Sequence, residues 1–173
     1  MPARLLVAAA ALLVAAACAT TGASPRPFPT PGGRGADRPP PAAETPASAP
    51  GAASSVVRDA LSLRGTRYRD GGADPAGFDC SGFVQYVFGR HALLMPRTVE
   101  RQALEGRSVR LADVRPGDLV FFRTVASGSS HVGIAIGGGE FVHAPSSRGV
   151  VRVERLDSSY WGPRVVSVRR VLR

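Results

Sequence analysis

From residue 55 onward the apolar positions follow first one rhythm and then another. In SVVRDALSLR (55–64), Val56, Val57, Ala60, Leu61 and Leu63 fall close to one helical face, and Gly65 follows as a stop. YRDGGADPAGFD (68–79) breaks that pattern with glycines and a proline, the mark of a loop. CSGFVQYVF (80–88) restores it, with Phe83, Val84, Val87 and Phe88 at helical spacing, Asp79 in the N-cap position and Gly89 as a stop. TVERQALEG (98–106) reads as a short helix capped by Thr98. Thereafter the period shortens. RPGDLVFFR (115–123) turns into a strand over Leu119 to Phe122, and HVGIAIGGGEFVHA (131–144) holds two short strands around a glycine turn. GVVRVERL (149–156) and RVVSVRRVL (164–172) supply further strands. Helices first and strands afterwards predict an α+β fold with an antiparallel sheet.

The hydrophobic pattern before residue 55 is of another kind. One positive charge at Arg4, an apolar run from Leu5 to Ala17 and then Cys18 have the form of a secretory signal, with a run too short to span a bilayer comfortably. AAAC resembles a bacterial lipobox, in which cleavage leaves the cysteine as a lipid-carrying N-terminus; Ala15 departs from its usual aliphatic residue. Ala19 to Ser54 holds nine of the chain's 15 prolines and almost nothing that forms a core, so it reads as a disordered or polyproline-II tether. The expected organisation is a lipoprotein signal over 1–17, lipidated Cys18 with a tether over 18–54, and one domain of ordinary size over 55–173. The lipobox resemblance further implies membrane attachment through the N-terminal lipid. With Ala19 in place of a retention aspartate, it implies an outer membrane with the domain facing the periplasm.

Charge adds a partner class. The 22 basic residues, all arginine, exceed the 13 acidic ones and give a net charge of +9, which draws the domain to anionic polymers such as wall material or lipid headgroups. No nucleic-acid module is recognisable, and export argues against such a partner. The domain is expected to act as a monomer.

Candidate chemistry begins at Cys80. With Cys18 carrying lipid, Cys80 stands alone in an oxidising compartment, where a thiol is either a buried small hydrophobe or a reagent. At the first turn of its helix, the macrodipole and free N–H groups are expected to lower its pKa toward neutrality and to hold an oxyanion. Asp79 opposes this, so a base is needed. His91 reads as a loop residue; His131 and His143 flank the glycine turn. With Gly137 to Gly139 as the turn, Ile136 pairs with Glu140 and both imidazoles lie on one sheet face as diagonal neighbours, roughly 7–8 Å apart at Cα. Gly133 and Ala135 on that face are small enough to admit a helix, while Val132, Ile134, Ile136 and Val142 form the core face. A relay is then available: Cys80 attacks, His131 accepts its proton and His143 orients His131. The same three side chains are also a zinc-ligand set with an open position, but no further Cys/His spacing supports a metal site.

GTRYRDGGADPAGFDCSGFVQYVF, LMPRTVERQALEG, VRPGDLVFFR and HVGIAIGGGEFVHA resemble, in order and spacing, the successive motifs of NlpC/P60 cysteine peptidases. The tail YWGPRVVSVRRVL extends the similarity toward the Spr-type murein endopeptidase lipoproteins. The resemblance implies a papain-like fold, hydrolysis of peptidoglycan stem peptides and no cofactor. It makes Cys80 the nucleophile, His131 the base and His143 the orienting residue. Tyr68 matches a tyrosine that positions the thiol or stabilises the oxyanion, or is a packed aromatic. Asp79 and Ser81 match cleft-lining positions and are equally capping residues. Arg97 matches an arginine that meets a substrate carboxylate or forms a structural ion pair. The favoured bond is the D-alanyl–diaminopimelate cross-link, with the γ-D-glutamyl–diaminopimelate bond and a non-catalytic wall-binding module as alternatives. Asp70 and Pro145 depart from the family pattern near the expected cleft.

Overall fold

A computed structural model describes residues 51–125, 127–145 and 149–173. The signal, Cys18 and all but the last four residues of the expected tether lie outside the described residues.

The chain opens with helix α1 (Ala52–Ser62), three residues earlier than the sequence pattern suggests, which buries Val56 and Ala60. The glycine-rich stretch read as a loop contains a small hairpin, β1 (Ala73–Asp74) and β2 (Gly77–Phe78). Helix α2 (Cys80–Gly89) follows at once, with the Asp79 side chain accepting from the Gly82 amide as its cap. Helix α3 is a single turn, Val99–Gln102, capped by Thr98, shorter than TVERQALEG suggests. The remainder builds a six-stranded antiparallel sheet in the order β3-β8-β4-β5-β6-β7. Its strands are β3 (Arg107–Val109), β4 (Leu119–Phe122), β5 (His131–Gly137), β6 (Glu140–His143), β7 (Arg152–Arg155) and β8 (Val165–Arg170). Strand β3, an edge strand paired with β8, has no counterpart in the sequence reading.

Both sheet faces are covered, which is why β4 reads as an unbroken apolar run and buries all four of its residues. On one face Leu119, Phe121, Val132, Ile134 and Val142 pack against Phe83, Val84, Val87 and Phe88 of α2 and Val56 and Ala60 of α1. On the other, Val120, Phe122, Ala135, Phe141 and Val168 form a second, smaller core closed by Leu156 and Trp161. The helices therefore lie on the Val132/Ile134 face, and the expectation that a helix approaches over Gly133 and Ala135 is overturned. Gly133 is small for another reason: a Cβ there would meet Phe141 Cδ2 at 2.5 Å. Its space belongs to the neighbouring strand's aromatic ring.

The β5–β6 turn is also tighter than expected. Gly137 pairs with Glu140, and the turn residues Gly138 and Gly139 have φ of 62° and 75°, a conformation suited to glycine. Taken alone, a two-residue turn would move the two histidines to opposite faces. An irregularity between Ala135 and Gly137 adds one residue to β5 and cancels the shift, so Ile134 pairs with Val142 and Ala135 with Phe141, the register first expected.

Candidate active site

Cys80 is the first residue of α2 and is only partly exposed. Its sulfur lies among the backbone N–H groups of Cys80 itself, Ser81 and Val132, which favour the thiolate. Burial outweighs them, with Asp79 adding to it, and the thiol is pushed up to about 11. The expectation of a thiol near neutrality is thus corrected: the helix terminus is real, but desolvation and a carboxylate neighbour dominate it. At neutral pH Cys80 rests as a thiol among donors able to receive an oxyanion, and it needs a base.

The Val132 contact sets Cys80 beside the residue that follows His131 at the start of β5. His131 Nε2 lies 2.7 Å from His143 Nδ1, with the rings at 89° to each other. Trp161 stacks on the His131 ring at 5.4 Å between centroids and meets His143 edge-on at 5.0 Å. Both histidines are buried, at 4% and 0% exposure. Burial lowers His131 to about 4, and burial followed by the His131 and Arg152 charges lowers His143 as well. At neutral pH the pair is uncharged. If His131 donates from Nε2 to His143 Nδ1, its own Nδ1 is left as an acceptor, which is the tautomer a base requires.

This burial carries a prediction for stability. The unfolded chain takes up protons as pH falls through 6.5, whereas folded His131 resists until about 4, so acid favours unfolding across that window. His131 alone should cost about 2 kcal/mol of stability at pH 5. Urea titrations at pH 7.5 and pH 5 measure this; equal stabilities would show that the imidazoles are not held neutral.

Asp79, Ser81 and Arg97 form one cluster at the head of α2. Arg97 Nη1 donates to Asp79 Oδ1 at 3.0 Å and to Ser81 Oγ at 2.9 Å, and Nη2 donates to Asp79 Oδ2. Ser81 Oγ donates to the same carboxylate, whose Oδ1 also accepts the Gly82 amide at 2.7 Å. Of the two roles open to Arg97, the ion pair is present, and its guanidinium is raised by Asp79. Asp79 caps the helix, whereas the Ser81 hydroxyl, among the described residues, bonds only the Asp79 and Arg97 side chains. Tyr68 is partly buried, and its hydroxyl is raised by burial, then by Asp70, Cys80 and Asp79, which sets it in the electrostatic neighbourhood of the thiol. Asp70, one of the two departures, is thus one of the charges that hold the Tyr68 hydroxyl protonated. Pro145, the other, lines a cavity of about 350 Å³ beside His131, together with Arg152, Glu154, Tyr160 and Trp161.

Three residues of this region carry no signal in the sequence reading. Gln102, fully buried, donates to the Ser81 carbonyl at 2.9 Å and the Pro96 carbonyl at 2.7 Å, tying the Arg97 segment to α2. Trp161 covers the histidines, and Glu154 accepts its indole N–H at 2.9 Å. The chain's only tryptophan, in the turn between β7 and β8, is the one hint that could have flagged this cover. Among the described residues no cluster of three or more His, Cys, Asp or Glu side chains is arranged to hold a metal ion.

Comparison with known proteins gives the same geometry a family. The chain is 42% identical over 120 residues to the murein DD-endopeptidase MepS/murein LD-carboxypeptidase of Escherichia coli, covering 69% of this chain and 63% of that protein. It is 37% identical over 120 residues to the gamma-DL-glutamyl hydrolase of Bacillus subtilis, covering 67% of this chain and 29% of that one. The matched region thus spans less than two thirds of each relative's length. Among solved structures, an NlpC/P60 family protein from Bacillus cereus superposes with a TM-score of 0.67 at 29% identity, over 70% of this chain and 40% of the other. The family model described as NlpC/P60 matches residues 65–170, the stretch that carries α2, the thiol and both histidines, and the chain belongs to the NlpC/P60 family.

Proposed function

We propose that this chain is a cell-wall cysteine peptidase that hydrolyses peptidoglycan stem peptides. The observation that carries the reading is the 2.7 Å His131–His143 hydrogen bond, next in the chain to the amide that faces the Cys80 sulfur. His131 Nδ1 takes the Cys80 proton as sulfur attacks the scissile carbonyl. The N–H groups at the head of α2 receive the oxyanion, with Tyr68 as a further donor. His131 then returns the proton to the leaving amine, and the resulting thioester is hydrolysed by a water that His131 deprotonates. His143 holds His131 in its tautomer throughout. Nucleophile and base are both side chains of this chain, so the reaction calls for no cofactor.

The D-alanyl–diaminopimelate cross-link is the favoured bond, supported by the name of the Escherichia coli relative. The γ-D-glutamyl bond within one stem is the second reading, supported by the glutamyl hydrolase of Bacillus subtilis. Lipid attachment at Cys18, an outer-membrane location facing the periplasm and a monomeric state belong to the same proposal. The net charge of +9 suits an enzyme held against an anionic wall.

The test incubates the full chain and its Cys80→Ala form with cross-linked peptidoglycan and with purified muropeptide dimers, followed by mass spectrometry. Dimers resolved to intact monomers by the wild type alone are the expected result. Shortened stems move the cut to the γ-D-glutamyl bond. Binding without cleavage by both forms would leave a wall-binding module.

A further inference from the structure

A neutral histidine stabilises an imidazolium poorly compared with a carboxylate, and His143 stands where many nucleophilic triads have the carboxylate. Behind His143 the structure has one. His143 is fully buried, and its Nε2 has no hydrogen-bond partner among the described residues. A buried ring N–H left unpaired is costly, so its surroundings are informative. The nearest acidic atom among the described residues is Glu154 Oε1, 4.0 Å away. Strand pairing sets it there: β7 runs beside β6 with Glu154 opposite Phe141 and Arg152 opposite His143, so both β7 side chains share the histidines' face. Glu154 is held on two sides. Its Oε2 accepts the Trp161 indole N–H at 2.9 Å, and its Oε1 accepts Arg152 Nε at 2.7 Å. Trp161 is the ring that stacks on His131.

We propose that Glu154 is a positioning residue that extends the relay to four members, Cys80–His131–His143–Glu154, by receiving the His143 Nε2–H when His131 becomes charged. The proposal rests on the catalytic reading of the two histidines. In the resting enzyme the 4.0 Å gap is too long for a hydrogen bond. Proton transfer from Cys80 puts a positive charge on His131, which is shared across the 2.7 Å contact to His143 Nδ1. His143 can carry part of that charge only if its far nitrogen keeps a proton and meets an acceptor. A movement of about 1 Å closes the gap, of the kind that commonly tightens catalytic contacts on substrate binding. The carboxylate also fixes the resting tautomer: it favours the proton on His143 Nε2, which leaves Nδ1 to accept from His131 and His131 Nδ1 to accept from the thiol. The ionisable groups about His143 are His131 from β5 and Arg152 and Glu154 from β7, with Tyr160 on the wall of the same cavity. Arg152 opposes the charge on His143, and its bond to Glu154 Oε1 limits that opposition.

The test compares the full chain with Glu154→Gln, which keeps the bulk and an acceptor for Trp161, and with Glu154→Asp, which keeps the charge. Cleavage of a muropeptide mixture by Glu154→Gln should show kcat lower by about tenfold to a hundredfold, the range of one charge-assisted hydrogen bond, with KM unchanged. Its acid limb should move to lower pH, because a base without its carboxylate binds protons less well, and Glu154→Asp should restore the limb toward the wild type. Nitrogen-15 NMR of the wild type supplies a readout independent of turnover: the His143 proton should reside on Nε2, and should shift toward Nδ1 in Glu154→Gln. An unchanged kcat and acid limb, or a wild-type His143 protonated on Nδ1, would overturn the proposal. Should the wild type fail to cleave any muropeptide, the catalytic reading fails, while the NMR measurement still decides whether Glu154 sets the His143 tautomer.

Discussion

Replacing His131 with alanine is expected to lower kcat/KM at pH 7 by about three to four orders of magnitude, near the upper range for general-base catalysis. The reason is the state of the thiol. With Cys80 pushed up to about 11, roughly one molecule in ten thousand carries a thiolate at pH 7, so the enzyme cannot rely on a preformed ion pair. In the proposed mechanism the wild type overcomes this by transferring the proton during attack. Because His131 is held down to about 4, its base form is fully populated from about pH 5 upward. The variant has only the scarce thiolate, so its rate should climb about tenfold per pH unit until the thiol titrates. The wild-type profile should be flat over the same range. Rates from pH 5 to pH 10 with soluble muropeptides distinguish the two shapes. Because His131 packs against Trp161, His131→Gln, which retains volume, is the companion variant and should behave alike. More than a tenth of wild-type activity at pH 7 in both would remove His131 from the role of base.

The setting of Cys80 was legible in the sequence because it is local. Asp79 before an apolar 3.6-residue period specifies the cap, the start of α2 and the place of Cys80 within its first turn. The histidine pair was legible for a less secure reason. The assumed three-residue turn was one residue too long, and the irregularity at Ile136 offset the error, so the register came out right. A bulge leaves little trace in a single sequence where three glycines run together. The helix-packing face was not legible, since the smallness of Gly133 fits a helix or a cross-strand ring equally well, and Phe141 takes the space. Nor was the thiol's protonation state, because desolvation depends on what packs around Cys80 from β5 and from the Tyr68 segment. Trp161 and Glu154 reach the histidines only through the pairing of β6 with β7 and the turn that follows.

Arg97 shows how that packing and the chemistry constrain each other. A carboxylate beside the Cys80 thiol opposes its ionisation, yet Asp79 stands at the cap, where it satisfies the Gly82 amide. Pairing with Arg97 compensates part of its charge, and Gln102 anchors the segment that brings Arg97 in. The head of α2 is therefore a built unit rather than a bare helix end, and its dimensions leave little room for change.

Gly82→Ala tests that tolerance and should be the most destabilising single-methyl addition near the site. A Cβ at Gly82 would lie 2.0 Å from the Gly72 carbonyl oxygen and 3.1 Å from Ala73 Cα. Both are backbone atoms of the segment leading into the β1–β2 hairpin, so no rotamer change relieves the overlap. The same carbonyl accepts the Asp79 amide at 2.9 Å, and Gly72 is itself pressed against Gly77, with 2.2 Å from its own added Cβ to the Gly77 oxygen. To admit the methyl group, the hairpin must lift from α2, breaking that hydrogen bond and uncovering Phe78 in the core. The expected cost is about 3 kcal/mol or more, a fall of about 10 °C in Tm. Gly89→Ala is the control: it lies at the far end of the same helix, with no described residue within 4 Å of an added Cβ. There the better helix propensity of alanine should leave Tm unchanged or slightly raised. Thermal melts of the two variants side by side check the difference, and equal melting temperatures would mean that the hairpin is free to shift. Assayed well below its melting point, Gly82→Ala should still lose activity, because the displaced hairpin carries with it the strand that supports Tyr68 and the carbonyl that fixes Asp79 beside Cys80.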